Sequence, residues 1–404
     1  MAQSSLTVEK TGSVAHLVGY YGALLGVGLV SASLGPTLSG LAAQTGVGLR
    51  DISVLFVARS TGYILGSLLS GRLYDRVRGH PVLAGAILTL AISMALAPLT
   101  AWLWLLAAVV VVIAMSDGAI DVGVNALLVW AYRDRVGPYM SGLHAAFGLG
   151  AFLAPIIVAQ VTAPGSNLTL AYWALAALIV PPSLWILRLP SPAPAPRPVE
   201  KIAQAERRNY ILLALLAAFF ALYVAGEVSF GAWVFTYASK LGLADEKSAA
   251  YLTSAFWGAL TAGRLLAIPV AARFRPRTIL ATDLIGCLIS MGIALFWVNS
   301  ASAIWIGAIG AGFFMASIFP TLLTFAERRM HITGQITSLF FIAGSLGAVF
   351  LPWLIGQLFE RVGPRVTVTA IFVDVLVELA VFGALMLYAP KPVSPDKTAP
   401  FGTA

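Results

Sequence analysis

Long apolar runs separated by short polar breaks dominate the chain. Twelve of them, at about 14–40, 50–74, 80–99, 101–132, 138–162, 168–188, 209–241, 245–273, 277–299, 301–327, 332–361 and 366–389, reach the roughly 20 residues a helix needs to cross a bilayer. They are apolar on every side rather than alternating, which argues against the strands of a membrane barrel. Between the sixth and seventh runs, Ser191-Pro-Ala-Pro-Ala-Pro-Arg-Pro198 is followed by Lys201, Arg207 and Arg208. Such a stretch is a semi-rigid basic linker. The pattern predicts an all-α membrane protein with twelve transmembrane helices in two pseudo-symmetric six-helix bundles. Residues 1–188 form the first, 189–208 a cytoplasmic linker, and 209–404 the second with a short cytoplasmic tail.

The halves repeat one another. Gly66, Gly71, Arg72 and Leu73 match Gly258, Gly263, Arg264 and Leu265 at an offset of 192 residues. Gly150, Ala151, Pro155 and Gln160 match Gly347, Ala348, Pro352 and Gln357 at an offset of 197. Duplicated halves of this kind pack around a central cavity near the membrane midplane and rock about it.

Composition removes the soluble alternatives. The 404 residues are 59% apolar and 10% charged, with a mean hydropathy of +0.89, against roughly 25% charge in soluble domains. Disorder needs the opposite balance. The polar start and the long run from Val14 do not read as a cleavable signal. The four His and Cys287 show no metal-ligand spacing, and no phosphate-binding loop is present. The reading is therefore of a non-enzyme without metal or cofactor.

Charge placement sets the topology. Eighteen of the 25 Lys and Arg residues fall in alternate segments beginning with the N-terminus, against five on the other side, with Arg59 and Arg264 inside spans. The positive-inside rule then places both termini in the cytoplasm. It also reads the net charge of +8 as topological anchoring rather than nucleic-acid binding. The expected setting is a plasma or inner membrane, with the lipid bilayer as surroundings and a monomer as the working unit.

Six charged residues sit deep in spans: Arg59, Asp117, Asp121, Glu227, Asp374 and Glu378. A charge at the bilayer centre costs about 2.5–3.5 kcal/mol on insertion scales, so these side chains must face protein, water or one another. Asp117, Asp121 and Asn125 share one helix face at i, i+4 and i+8. Carboxylates one turn apart repel, and such a group suits a proton carrier. Hard oxygen ligands suit sodium equally. The three are the candidate cation-coupling site. Glu227 shares a face with Tyr223, Phe230 and Tyr237. An acid can hold sugar hydroxyls while aromatic rings pack a pyranose. Trp257, Asn125, His144 and Arg59 complete the candidate substrate site, with pairing to an acid the simpler role for Arg59. Asp374 and Glu378, also one turn apart, receive no role.

Gly71-Arg-Leu-Tyr-Asp75-Arg-Val-Arg-Gly79 resembles the major facilitator superfamily signature G-x-L-x-D-R-x-G-[RK], with the last residues in shifted order. The resemblance implies the major facilitator fold and a gating role for Gly71, Asp75 and Arg76. Arg264, the repeat counterpart of Arg72, reads as a gate or anchor at the cytoplasmic end. A narrower resemblance rests on Asp117-Gly-Ala-Ile-Asp121-Val-Gly-Val-Asn125, on Gly142-Leu-His144-Ala-Ala-Phe147-Gly148, on Tyr223-Val-Ala-Gly226-Glu227 and on Leu351-Pro-Trp. Together these are similar to the fucose–proton symporter family and its sodium-dependent glucose transporter branch. Tyr20 through Leu41 carries no acid where the fucose type places one. The resemblance implies a transporter moving a hexose-like sugar with a proton or sodium ion by alternating access. The competing reading is a proton-coupled exporter of amphipathic molecules or lipids. Against it, the fourth span lacks the embedded Arg of drug antiporters and the fifth lacks their G-x-x-x-G-P-x-x-G-G pattern.

Overall fold

The computed structural model describes residues 13–161, 168–193, 210–330 and 334–388. Twelve helices long and apolar enough to cross a membrane appear among them. The first half holds α1 (Val14–Thr45), α2 (Leu49–Tyr74), α3 (Gly79–Leu99), α4 (Leu103–Tyr132), α5 (Val136–Val161) and α6 (Leu168–Ile186). The second holds α7 (Tyr210–Lys240), α8 (Glu246–Arg273), α9 (Pro276–Phe296), α10 (Ala301–Glu327), α11 (Gly334–Val362) and α12 (Val366–Tyr388). Most of the linker and both chain ends lie outside the described residues.

Small residues set how the helices approach, as expected where lipid supplies no hydrophobic drive for association. The repeat is visible in these contacts. A Cβ added at Gly150 of α5 would meet the Leu25 carbonyl of α1, and one at Gly347 of α11 would meet the Ala221 carbonyl of α7. Likewise Gly118 of α4 lies against the Tyr63 carbonyl of α2, and Gly312 of α10 against the Phe256 carbonyl of α8. Each half thus packs its first and fifth helices, and its second and fourth, through the same glycine-to-backbone approach.

Large apolar side chains cover the outside, as with Leu68, Ile92, Leu266, Ile289, Leu346 and Phe350, all exposed. Trp102, Trp104 and Trp297 stand exposed at one end, and Trp185, Tyr210 and Tyr388 at the other. Aromatic rings at both ends of an apolar belt mark the two interfaces. The second of these ends, the arginine-rich face, carries Arg72, Arg76, Arg78, Arg188, Arg273, Arg275, Arg277 and Arg328.

At the face opposite, the halves are sealed together. Gly35 of α1 meets the backbone of Gly231 and Ala232 of α7. Trp233 of α7 is fully buried. Its ring lies 5.9 Å from Phe56 of α2 and stacks on Phe359 of α11 at 5.2 Å. Its Nε1 donates to the Pro352 carbonyl at 3.0 Å. Gln357 of α11 donates to the Arg50 carbonyl and to Ser53 Oγ, each at 3.1 Å. Gln160 of α5 donates to the Tyr251 hydroxyl of α8 at 2.5 Å. The repeated glutamines therefore bridge the halves at one end, in symmetry-related positions.

Candidate functional site

Between the halves lies a cavity of about 830 Å³, within the roughly 300–1,000 Å³ typical of small-molecule sites. Phe56, in contact with the sealing Trp233, closes one end. Phe274, Pro276 and Arg328 line it at the other, so it reaches the arginine-rich face.

Two charged groups, one from each half, face this space. In the first half, Arg59 of α2 pairs with Asp117 of α4 at 3.1 Å and donates to Ser31 Oγ of α1 at 2.8 Å. Asp117 is buried, while Arg59 keeps about a quarter of its side chain open to the cavity. One turn along α4, Asp121 has different partners. The Tyr63 hydroxyl donates to its Oδ2 at 2.5 Å, and Asn125 Nδ2 donates to its Oδ1 at 3.0 Å. Tyr63 lines the cavity, whereas Asp121 and Asn125 stand outside the lining, half-buried. The two aspartates are thus held apart by separate partners, one cationic and one neutral.

In the second half, Arg264 of α8 lies 3.5 Å from Glu227 of α7, and the Tyr223 hydroxyl donates to the other carboxylate oxygen of Glu227. All three line the cavity. Tyr223 and Glu227 stand one turn apart on α7, which puts the hydroxyl and the carboxylate on one face. His144 of α5 lines the cavity between the groups, within electrostatic reach of Asp121 and Arg264. Thr261 and Ser60 add hydroxyls, and Phe220, Phe319 and Phe340 supply aromatic walls.

The structure gathers Arg59, Asp117, His144, Tyr223, Glu227 and Arg264 around one space, with Asp121 and Asn125 attached through Tyr63. It does not bring Phe230, Tyr237 or Trp257 into the lining. Phe230 packs against Phe256 at 4.8 Å, and Trp257 wedges against Gly231. Tyr237 is buried ten residues beyond Glu227, about 15 Å along the helix axis. Arg264, expected at the cytoplasmic end as the counterpart of Arg72, reaches into the cavity instead. Gly71, Asp75 and Arg76 sit at the end of α2 on the arginine-rich face, with Asp75 and Arg76 exposed. Sequence reading passed over Ser31, Tyr63, Phe220 and Phe319. Tyr63 carries a signal in retrospect, since it lies four residues after Arg59 on the same face of α2.

The family model of the Major Facilitator Superfamily matches residues 20–352. The chain belongs to the major facilitator superfamily. Within it, the chain is 30% identical over 374 residues to sodium-dependent glucose transporter 1A of Mus musculus, covering 84% of this chain and 88% of that protein. It is 32% identical over 356 residues to sodium-dependent glucose transporter 1 of Xenopus laevis, covering 81% of this chain and 72% of that protein. Its fold matches a mutant form of the nucleoside transporter NupG, with a TM-score of 0.73 at 14% identity, covering 92% of this chain and 99% of that one. It also matches a bacterial homolog of the human lysosomal transporter Spinster in an inward-facing, occupied conformation. There the TM-score is 0.74 at 13% identity, with 95% and 98% covered. The major facilitator chain is thus an integral, multi-pass membrane protein whose twelve spans follow the superfamily fold.

Proposed function

We propose that this superfamily member is a secondary active transporter that carries a hexose-like sugar across the membrane by alternating access, coupled to a proton or sodium ion. The observation that carries the reading is the pair of facing groups, Arg59–Asp117 from one half and Arg264–Glu227–Tyr223 from the other, across a single cavity sealed at one end. A solute held between them contacts both halves, so a rocking motion that swaps the open end carries it through. The names of the relatives point to glucose and to sodium, which agrees with this chemistry.

Glu227 and Tyr223 accept and donate to sugar hydroxyls, while Phe220 and Phe319 pack the apolar face of the ring. Arg59, Asp117, His144 and Arg264 orient the remaining hydroxyls. Asp121, with Asn125 and Tyr63, is the coupling site. Binding of a proton or of sodium there changes the charge beside Tyr63 and so the cavity wall that faces the sugar. Asp117, already neutralised by Arg59, tunes that site from one turn away. With the arginine-rich face in the cytoplasm, both termini are cytoplasmic and the conformation is inward-open. Gly71, Asp75 and Arg76 then belong to the gate that closes that mouth, in a monomer of the plasma or inner membrane.

Thermal stabilisation of the purified protein by common hexoses, at two pH values and with and without sodium, tests the reading. Protection by one hexose that depends on one ion supports it. Protection by amphipathic drugs or lipids and by no hexose would replace it with the exporter.

A further inference from the structure

Three carboxyl groups of the second half take no part in the cavity. Asp283 lies on α9, and Asp374 and Glu378 lie one turn apart on α12, all near the middle of their helices. Asp374 is 7% exposed and Glu378 3%. Ser317 of α10 donates to Asp283. Asp374 Oδ2 and Glu378 Oε1 are enclosed with no hydrogen-bond partner among the described residues. Cys287, one turn after Asp283 on α9, is buried, and α9 packs against both α10 and α12.

Among the described residues, no cation pairs with them. The two arginines inside the spans are engaged elsewhere, Arg59 by Asp117 and Arg264 by Glu227. The neighbouring elements bring little else. Around the acids, α9 contributes Cys287 and α10 contributes Ser317 and Met315. The acidic residue of α11, Glu360, is at the sealed end, accepting from the Arg50 amide. A carboxylate enclosed in low dielectric with neither donor nor cation does not keep its charge. Asp374 Oδ2 also has a position of consequence. It lies against Gly226 of α7, where an added Cβ would sit 3.0 Å away, and Gly226 is the residue before the cavity acid Glu227.

We propose that Asp374 and Glu378 form a proton-holding site inside the second half, separate from the cavity and in contact with α7 at Gly226. This assignment does not depend on which solute the cavity takes. Infrared spectroscopy of the full-length protein in liposomes at neutral pH tests it through the carbonyl stretch of protonated carboxyl groups. Wild type shows such bands, shifting on exchange into heavy water, and Asp374→Asn and Glu378→Gln each lose one component. Glu378→Asp keeps its band at a shifted position, which covers the case in which the amide variants do not fold. Spectra of folded variants that superimpose on wild type would overturn the proposal. So would bands that bleach on adding sodium at constant pH, which would make this a sodium site. Contact with α7 is read by hydrogen exchange of the segment around Gly226. After correction for intrinsic rates, exchange changes with pH in wild type and that change is lost in Asp374→Asn. A change retained in full in the variant would remove the link.

Discussion

Arg59 places its guanidinium 3.1 Å from Asp117, in the middle of helices where a lone charge costs about 2.5–3.5 kcal/mol. Removing one partner leaves the other uncompensated, and removing both does not. Arg59→Met is therefore expected to destabilise the protein by about 2 kcal/mol, moderated by the water that reaches Arg59 from the cavity. Arg59→Met/Asp117→Asn recovers most of that loss, read as melting temperature in detergent. At the second group, Glu227→Gln keeps the shape and removes the charge that holds Arg264. Hydrogen bonds to charged groups are worth about 1.5–3 kcal/mol, so ligand affinity is expected to fall about 10- to 100-fold in a binding titration, with the fold intact. Much of this chemistry was legible in the sequence. A charge inside an apolar span has few explanations, and Arg59, Asp117 and Glu227 line the cavity. The aromatic face was only half legible. A helical wheel reports angle and not depth, so Phe230 and Tyr237 share a face with Glu227 yet belong to the sealed end. Arg264 was misjudged for the opposite reason. Its match to Arg72 fixed its position in the repeat, but its long side chain reaches inward to the Glu227 carboxylate of α7.

At the scale of the elements, close helix approach depends on the repeated glycines. Gly150→Val and Gly347→Val drive a side chain into the carbonyls of Leu25 and Ala221, backbone atoms that cannot rotate away. Overpacking of this kind costs about 1–3 kcal/mol. Both variants are expected to melt lower than wild type, while Gly85→Ala, whose Cβ would meet nothing within 4 Å, melts with it. The span pattern was readable because bilayer thickness dictates helix length, and the ends agree to within a few residues. The repeat was readable too, but not its purpose. Gln160 and Gln357 appeared only as matched letters. Their work emerges in three dimensions, where each reaches across to the other half at the sealed end.

For the whole molecule, the seal defines the conformational state. Cysteines at positions 160 and 251, introduced on a Cys287→Ser background, are expected to be joined by a short, reducible bifunctional thiol reagent, since Gln160 and Tyr251 touch across the halves through the ends of their side chains. Cross-linking is expected to stop solute exchange in liposomes, and reduction to restore it. Exchange that continues at the wild-type rate while cross-linked would mean that this end never opens. The most direct test of the account is uptake of a radiolabelled hexose into proteoliposomes, with a proton or sodium gradient imposed, by wild type and by Asp121→Asn. Wild type is expected to accumulate sugar above equilibrium, about 50-fold for one charge at 100 mV. Asp121→Asn is expected to equilibrate sugar without accumulating it. Accumulation by Asp121→Asn equal to wild type would contradict the coupling assignment, and no hexose movement under either gradient would contradict the sugar-transport reading.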